Sequence, residues 1–112
     1  MIRGTTPTIT MKLPSKVSVS DIATAVVSIQ QVGRKETIDK RLDPDKGLED
    51  IKKDDENGKN NLMVTLSQKE TLSLFAHKTT NLQLKVKTLD NIVLATYPMP
   101  LAVVDAIHEE EI

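Results

Sequence analysis

NLQLKVKTLDNIVLATYP, residues 81–98, alternates apolar and polar side chains with a period of two: Leu82, Leu84 and Val86 against Gln83, Lys85 and Lys87. An extended chain sends successive side chains to opposite faces, so this run predicts a strand with one face on a core and the other in solvent. The Asp90-Asn91 pair reads as a two-residue turn. It places Leu89 opposite Ile92, Val86 opposite Ala95 and Leu84 opposite Tyr97, so apolar residues meet on a single face. Pro98 and Pro100 then interrupt the ladder, because a proline has no amide proton to give it. LAVVDAI, residues 101–107, is expected as a last strand, and His108 to Ile112 as a frayed acidic end.

The same period recurs upstream. In DIATAVVSIQQVGRKETIDKRL, residues 21–42, a Gly33-Arg34 loop of type II′ sets Ile29 against Ile38 and Ala25 against Leu42. Lys40, which falls opposite Val27, is the one polar residue out of place in that hairpin. TITMKL, residues 8–13, puts Ile9, Met11 and Leu13 on one face, with Pro14 ending the run. NLMVTLS, residues 61–67, does the same with Leu62, Val64 and Leu66. Ser67 with Glu70 three positions on is a capping box, which predicts one helical turn whose Leu72, Leu74 and Phe75 cover an end of the core.

Between Asp43 and Asn60 the pattern collapses: eleven of eighteen residues are charged, net −3, which predicts a solvated loop anchored by Leu48 and Ile51 through a short edge strand. ENGKN, residues 56–60, reads as a turn. About seven short strands, one helical turn and no repeat predict an all-β, antiparallel two-sheet β-sandwich, Ig-like, with a small β-barrel as the alternative. The 112 residues fit one domain, 1–112, carrying 43–60 as a charged loop excursion.

Composition narrows the chemistry. Zero cysteines exclude disulfides, thiolate metal sites and cysteine nucleophiles. A single Tyr, a single Phe and no Trp leave few rings for stacking bases, and a net charge of −1 offers no global field for nucleic acid or an acidic membrane. No apolar run approaches the ~18 residues of a membrane span, and the N-terminus lacks a signal-peptide core, so a soluble product made in the cytoplasm is expected.

DPDKGLEDIKKD, from Asp43, misses the EF-hand pattern: Gly47 falls at position 5 and Leu48 at 6, where a ligand and a glycine are required. His77 and His108 lie 31 residues apart, and with loop carboxylates they are the only material for a metal-assisted hydrolase, a remote alternative. The four glycines are scattered singly, so no phosphate loop is expected, and no serine has a base and an orienting acid near it in sequence. No catalytic, cofactor or metal residue is therefore assigned. Lys85 and Lys87, a basic stripe on the solvent face of a strand, are the candidate interface.

One resemblance adds to this reading. MIRGTTPTIT followed by LP, then DI, a strand ending in IQQ, and VTLSQKETLSL, is similar in order and spacing to a family of small prophage-encoded β-rich proteins of Gram-positive bacteria. LQLKVKTLDNIVLAT resembles the penultimate hairpin of that family. The likeness covers most of the chain, is strongest over residues 2–10 and 61–74, and is weakest over 43–60. It implies a phage or prophage origin and a small β-rich fold, and it carries no site residues with it. RGTTP is expected to act as a structural start, with Thr5 and Thr6 bonding local backbone and Pro7 fixing the approach to the first strand.

The function expected is a non-enzymatic phage accessory or structural protein, made in the bacterial cytoplasm and carried in the virion. It would act by protein–protein contact with tail or baseplate components, without cofactors, nucleic acid or membrane. A binding module directed at a host factor is the alternative.

Overall fold

The computed structural model describes residues 1–13, 17–54, 56 and 60–108. Among the described residues nine strands and one short α-helix follow in order: β1 (Thr8–Lys12), β2 (Ile22–Gln31), β3 (Ile38–Asp43), β4 (Leu48–Glu49), β5 (Ile51–Asp54), β6 (Asn61–Thr65), α1 (Gln68–Leu72), β7 (Thr80–Thr88), β8 (Val93–Ala95) and β9 (Met99–Pro100). All named strand pairs are antiparallel. They form a three-stranded sheet, β1-β6-β5, and a six-stranded sheet, β4-β3-β2-β7-β8, with β9 also paired to β7. The sheets do not close into a barrel; this is an all-β sandwich. Its strand order is Ig-like: read without a first edge strand, β1-β6-β5 follows the B-E-D order of an immunoglobulin sandwich, and β4-β3-β2-β7-β8 follows C″-C′-C-F-G.

One aliphatic core joins the sheets: Met11, Leu62, Val64 and Ile51 from the smaller, and Ala25, Val27, Ile29, Ile38, Leu42, Leu82, Leu84 and Val86 from the larger. These are the residues that alternation places inward, with Ile9 only partly buried at the rim. The β2–β3 register is the one read from the sequence, Ala25 on Leu42 and Ile29 on Ile38. Its turn differs. The Arg34 amide donates to the Gln31 carbonyl at 3.1 Å, so Gly33, at φ 89°, takes the third position of a Gln31–Arg34 turn. Lys40 is no misfit: from its place opposite Val27 it reaches out of the core to the Glu70 carboxylate at 2.7 Å.

The second hairpin is shifted by one residue from the sequence reading. Val86 pairs with Leu94 rather than Ala95, because Leu89, Asp90 and Asn91 form a three-residue loop. The Asn91 amide donates to Thr88, and Asn91 alone is left-handed, at φ 63°. This is a turn followed by one residue in the left-handed region, a usual three-residue solution. Leu89 and Ile92 are consequently exposed. Leu84 lies opposite Thr96 rather than Tyr97 by the same one-residue shift: the Thr96 amide donates to the Leu84 carbonyl at 2.9 Å and its hydroxyl accepts from the Leu84 amide at 3.1 Å, and one extra residue follows before Met99 pairs with Leu82. Tyr97 is thrown into solvent at 91 % exposure.

Three further expectations are corrected. Residues 101–107 form no strand; Val104 makes an isolated parallel bridge to Ile2, and Val103 is buried against the core. The charged stretch from Asp43 holds more than the one short edge strand expected: a 3₁₀ turn at Pro44–Lys46 precedes the edge strand β4, a second strand β5 follows, and Ile51, 1 % exposed, is the anchor expected of it, whereas Leu48 is exposed. Phe75 is 49 % exposed; Leu74 alone of the three expected apolar residues is fully buried. Pro14, most of the 56–60 turn and the end from Glu109 lie outside the described residues.

The capping box is present as read: the Glu70 amide donates to the Ser67 hydroxyl at 3.1 Å, and the Ser67 amide to the Glu70 carboxylate at 2.8 Å. The RGTTP segment docks on this helix. Arg3 donates from Nε to the Leu74 carbonyl at 2.6 Å and from Nη2 to the Leu72 carbonyl at 2.9 Å, occupying acceptors that a helix C-terminus leaves free. Gly4 is left-handed, at φ 77°, and a Cβ there would stand 3.3 Å from Leu72 Cδ2. Its amide donates to the hydroxyl of Thr71, which is wholly buried and donates in turn to the Thr5 carbonyl at 2.9 Å. Thr5 also bonds the Ile2 carbonyl at 2.6 Å, the local contact expected of it. RGTTP is a clasp between the helix and the Val104 segment, whose amide and carbonyl bond Met1 and Arg3.

Candidate interface on the outer face of the larger sheet

Lys85 and Lys87 both stand exposed on β7, pointing away from the core. Alternation dictates this, since Leu84 and Val86 between and beside them are buried. Cross-strand partners share a face, so the register identifies their neighbours. Lys85 lies opposite Val26 of β2, which lies opposite Arg41 of β3; Ala95 of β8 flanks Lys85 on the other side. Lys87 lies between Thr24 and Val93. Lys85 and Lys87 are thus about 7 Å apart along one strand, and Arg41 about 10 Å away across two strand spacings.

The three cations ring a shallow depression of about 230 Å³ whose floor is Val26 and whose rim includes Val93. None of them has an ion-pair partner among the described residues. Asp43 borders the depression. The acid of the next row, Asp39, is occupied: its Oδ1 accepts from Ser28 at 2.7 Å and from Thr37 at 3.2 Å. The arrangement therefore offers three mobile cationic heads around a small apolar floor on a hydrogen-bonded platform. That is a surface for carboxylates flanking an apolar residue. Arg41 was not singled out from the sequence, because its proximity to Lys85 depends on β2 being the neighbour of both β3 and β7.

His77 stands in a left-handed turn, its amide bonded to Val103 and its ring 3.9 Å from the Asp105 carboxylate, both on the surface. Among the described residues no group of three His, Asp or Glu side chains is placed to hold a metal ion. Gln31, 2 % exposed, was missed by sequence reading. Its carboxamide donates to the Phe75 carbonyl and accepts from the Phe75 amide, both at 2.7 Å, fixing the chain after α1 to β2. No local signal marks it; a glutamine ending a strand is ordinarily solvated. Asn60 acts similarly, accepting from the Val19 amide at 2.7 Å and donating to the Val17 carbonyl.

No helix among the described residues is long and apolar enough to cross a membrane. In comparisons with protein-family models, curated proteins and solved structures, nothing matches this chain.

Proposed function

We propose that this protein is a non-enzymatic accessory or structural component of a phage or prophage, acting by contact with another protein of the tail or baseplate. The observation that supports the contact reading is the cluster of Arg41, Lys85 and Lys87 around Val26 on the outer face of the larger sheet. Three cations with no ion-pair partner among the described residues, on neighbouring strands, raise the local concentration of an acidic partner surface and orient it. The sequence resemblance supplies the phage setting.

The test is the protein content of purified phage particles, with the wild-type chain and with Lys85→Glu/Lys87→Glu. Both side chains are solvent-facing, so the double variant is expected to melt as the wild type does. Its incorporation is expected to fall about tenfold or more, because reversed charges repel where the originals steer. Absence of the wild-type protein from particles refutes the virion role and favours a host target. Equal incorporation of the double variant refutes this face as the contact.

A further inference from the structure

The edges of the sandwich are unequally defended against strand pairing. β4 has two residues and β8 three; β5 carries Lys52 and Lys53; and β9 contains Pro100 next to Pro98. The Leu101 amide bonds Thr80, so Met99 and Leu101 face β7, while Pro100 turns a nitrogen without a proton to the open side. Short strands, lysines and prolines are the devices that blunt an edge. β1, TITMK, has none of them but Lys12 at its end.

The open side of β1 follows from its pairing. The Leu66 amide donates to Pro7 and the Leu13 amide to Asn60, in register with Ile9 on Val64 and Met11 on Leu62. Odd-numbered residues therefore bond β6, and the amides and carbonyls of Thr8, Thr10 and Lys12 point away from it. Beside them lies an apolar cleft of about 460 Å³ lined by Ile9, Met11, Leu82, Met99 and Leu101. At the far corner the chain passes from β4 to β5 and so links the two sheets; at this corner the smaller sheet stops one strand short of β9.

We propose that β1 is a strand-addition site for an extended segment of a partner protein. Apolar side chains at alternate positions fill the cleft, and acidic ones between them face outward. Backbone groups of Thr8, Thr10 and Lys12 supply about six hydrogen bonds, one donor and one acceptor each. The acidic preference follows from Lys12 and Lys52 on the outer face of the smaller sheet. Lys12 has no ion pair with a described residue, and the acid of its row, Asp54, lies two strands away, about 10 Å. A second copy fits poorly, because bringing its β1 alongside carries its own projecting β9 onto this one. A lone segment has no second sheet behind it.

The experiment is selection of a yeast-displayed random decapeptide library on the full chain. Enriched peptides are expected to alternate apolar residues with period two, with Asp or Glu between them, and to shift the Thr10 and Lys12 amide resonances. Thr10→Pro removes a donor only on the open side, so the fold is expected to survive while affinity for an enriched peptide falls about tenfold or more. Met99→Glu, a charge placed at the partly exposed cleft wall, gives the same loss without touching β1. Lys85→Glu/Lys87→Glu is expected to bind the peptide normally, which separates this site from the outer-face contact. The proposal is overturned by enrichment without period two, or by peptides that bind all variants equally. A concentration-dependent dimer abolished by Thr10→Pro also overturns it, because the edge then belongs to a second copy.

Discussion

Replacing Thr71 by valine changes one hydroxyl to a methyl at constant shape, in a side chain with no solvent exposure. The hydroxyl accepts from the Gly4 amide at 3.0 Å and donates to the Thr5 carbonyl at 2.9 Å, so Thr71→Val leaves one donor and one acceptor without protein partners. A neutral hydrogen bond contributes about 1 kcal/mol net, and a buried orphan costs about 1–3 kcal/mol. Thr5 is exposed and Gly4 half-buried, so water reaches part of what is lost and the two orphaned groups together cost no more than one fully buried orphan. The expected cost is about 1–3 kcal/mol, a sizeable part of the ~5–15 kcal/mol that holds a small domain together. With a urea dependence of about 1–3 kcal/mol per molar, the midpoint falls by roughly 0.5–2 M at unchanged slope. Hydrogen exchange at the Gly4 amide should quicken by about tenfold or more, because the RGTTP clasp opens before the core does. Thr71→Ser, which keeps the oxygen, should retain most of that protection. A valine variant as stable as the wild type, with Gly4 equally protected, would refute the clasp.

Three other outcomes are expected. Leu84→Ala, at a side chain 1 % exposed and opposite Val27, should cost about 2–4 kcal/mol in urea denaturation; a loss below about 1 kcal/mol means the inward face has been misassigned. Burial pushes the Glu70 carboxyl up, but Lys40 and the Ser67 amide and hydroxyl outweigh it and hold the carboxyl below the usual glutamate range. Its folded-state pKa being depressed, its stabilisation is complete above the unfolded value of about 4.3 and is lost as pH falls through the lower folded value. Melts of wild type and Glu70→Gln should therefore converge below about pH 4, and parallel curves from pH 6 to 3 would disprove the linkage. Asn91→Val should lose about 1–2 kcal/mol, since a branched side chain resists the left-handed region, whereas Asn91→Gly should lose nothing; equal melts for the two variants contradict the three-residue loop.

The strands that alternate cleanly were legible in the sequence because their two faces meet different solvents. The β2–β3 register was legible for a further reason: Ile29 on Ile38 and Ala25 on Leu42 match only in that alignment. β7–β8 was misread by one because Asp90-Asn91 resembles a two-residue turn, and only the backbone shows that Asn91 alone takes a positive φ. Only one short strand was legible around Leu48 and Ile51, because Lys52, Lys53 and Asp54 look solvated; Lys53 in fact gives its ammonium to the Ile22 carbonyl at 2.9 Å. Lys85 and Lys87 were legible as outward-facing, but Arg41 joins them only through strand order. Strand order depends on contacts between distant residues and has no local signature. The open edge of β1 and the Arg3 contacts to Leu72 and Leu74 escaped for the same reason.

The passage of the chain from β4 to β5 at Asp50 has a mechanical meaning. Asp50 is pinned to β3, its amide donating to the Arg41 carbonyl at 2.9 Å and its carboxylate accepting from the Arg41 amide at 3.3 Å. A tension applied along β1 would run through the rungs of β6 and β5, which lie crosswise to it and are loaded in shear, several at once. At Asp50 it would pass into the other sheet through covalent backbone instead of through packed side chains. Sliding one layer over the other then requires tearing the Asp50–Arg41 pair and the short β3–β4 ladder together. The corner acts as a rivet, and the two layers bear load as one plate.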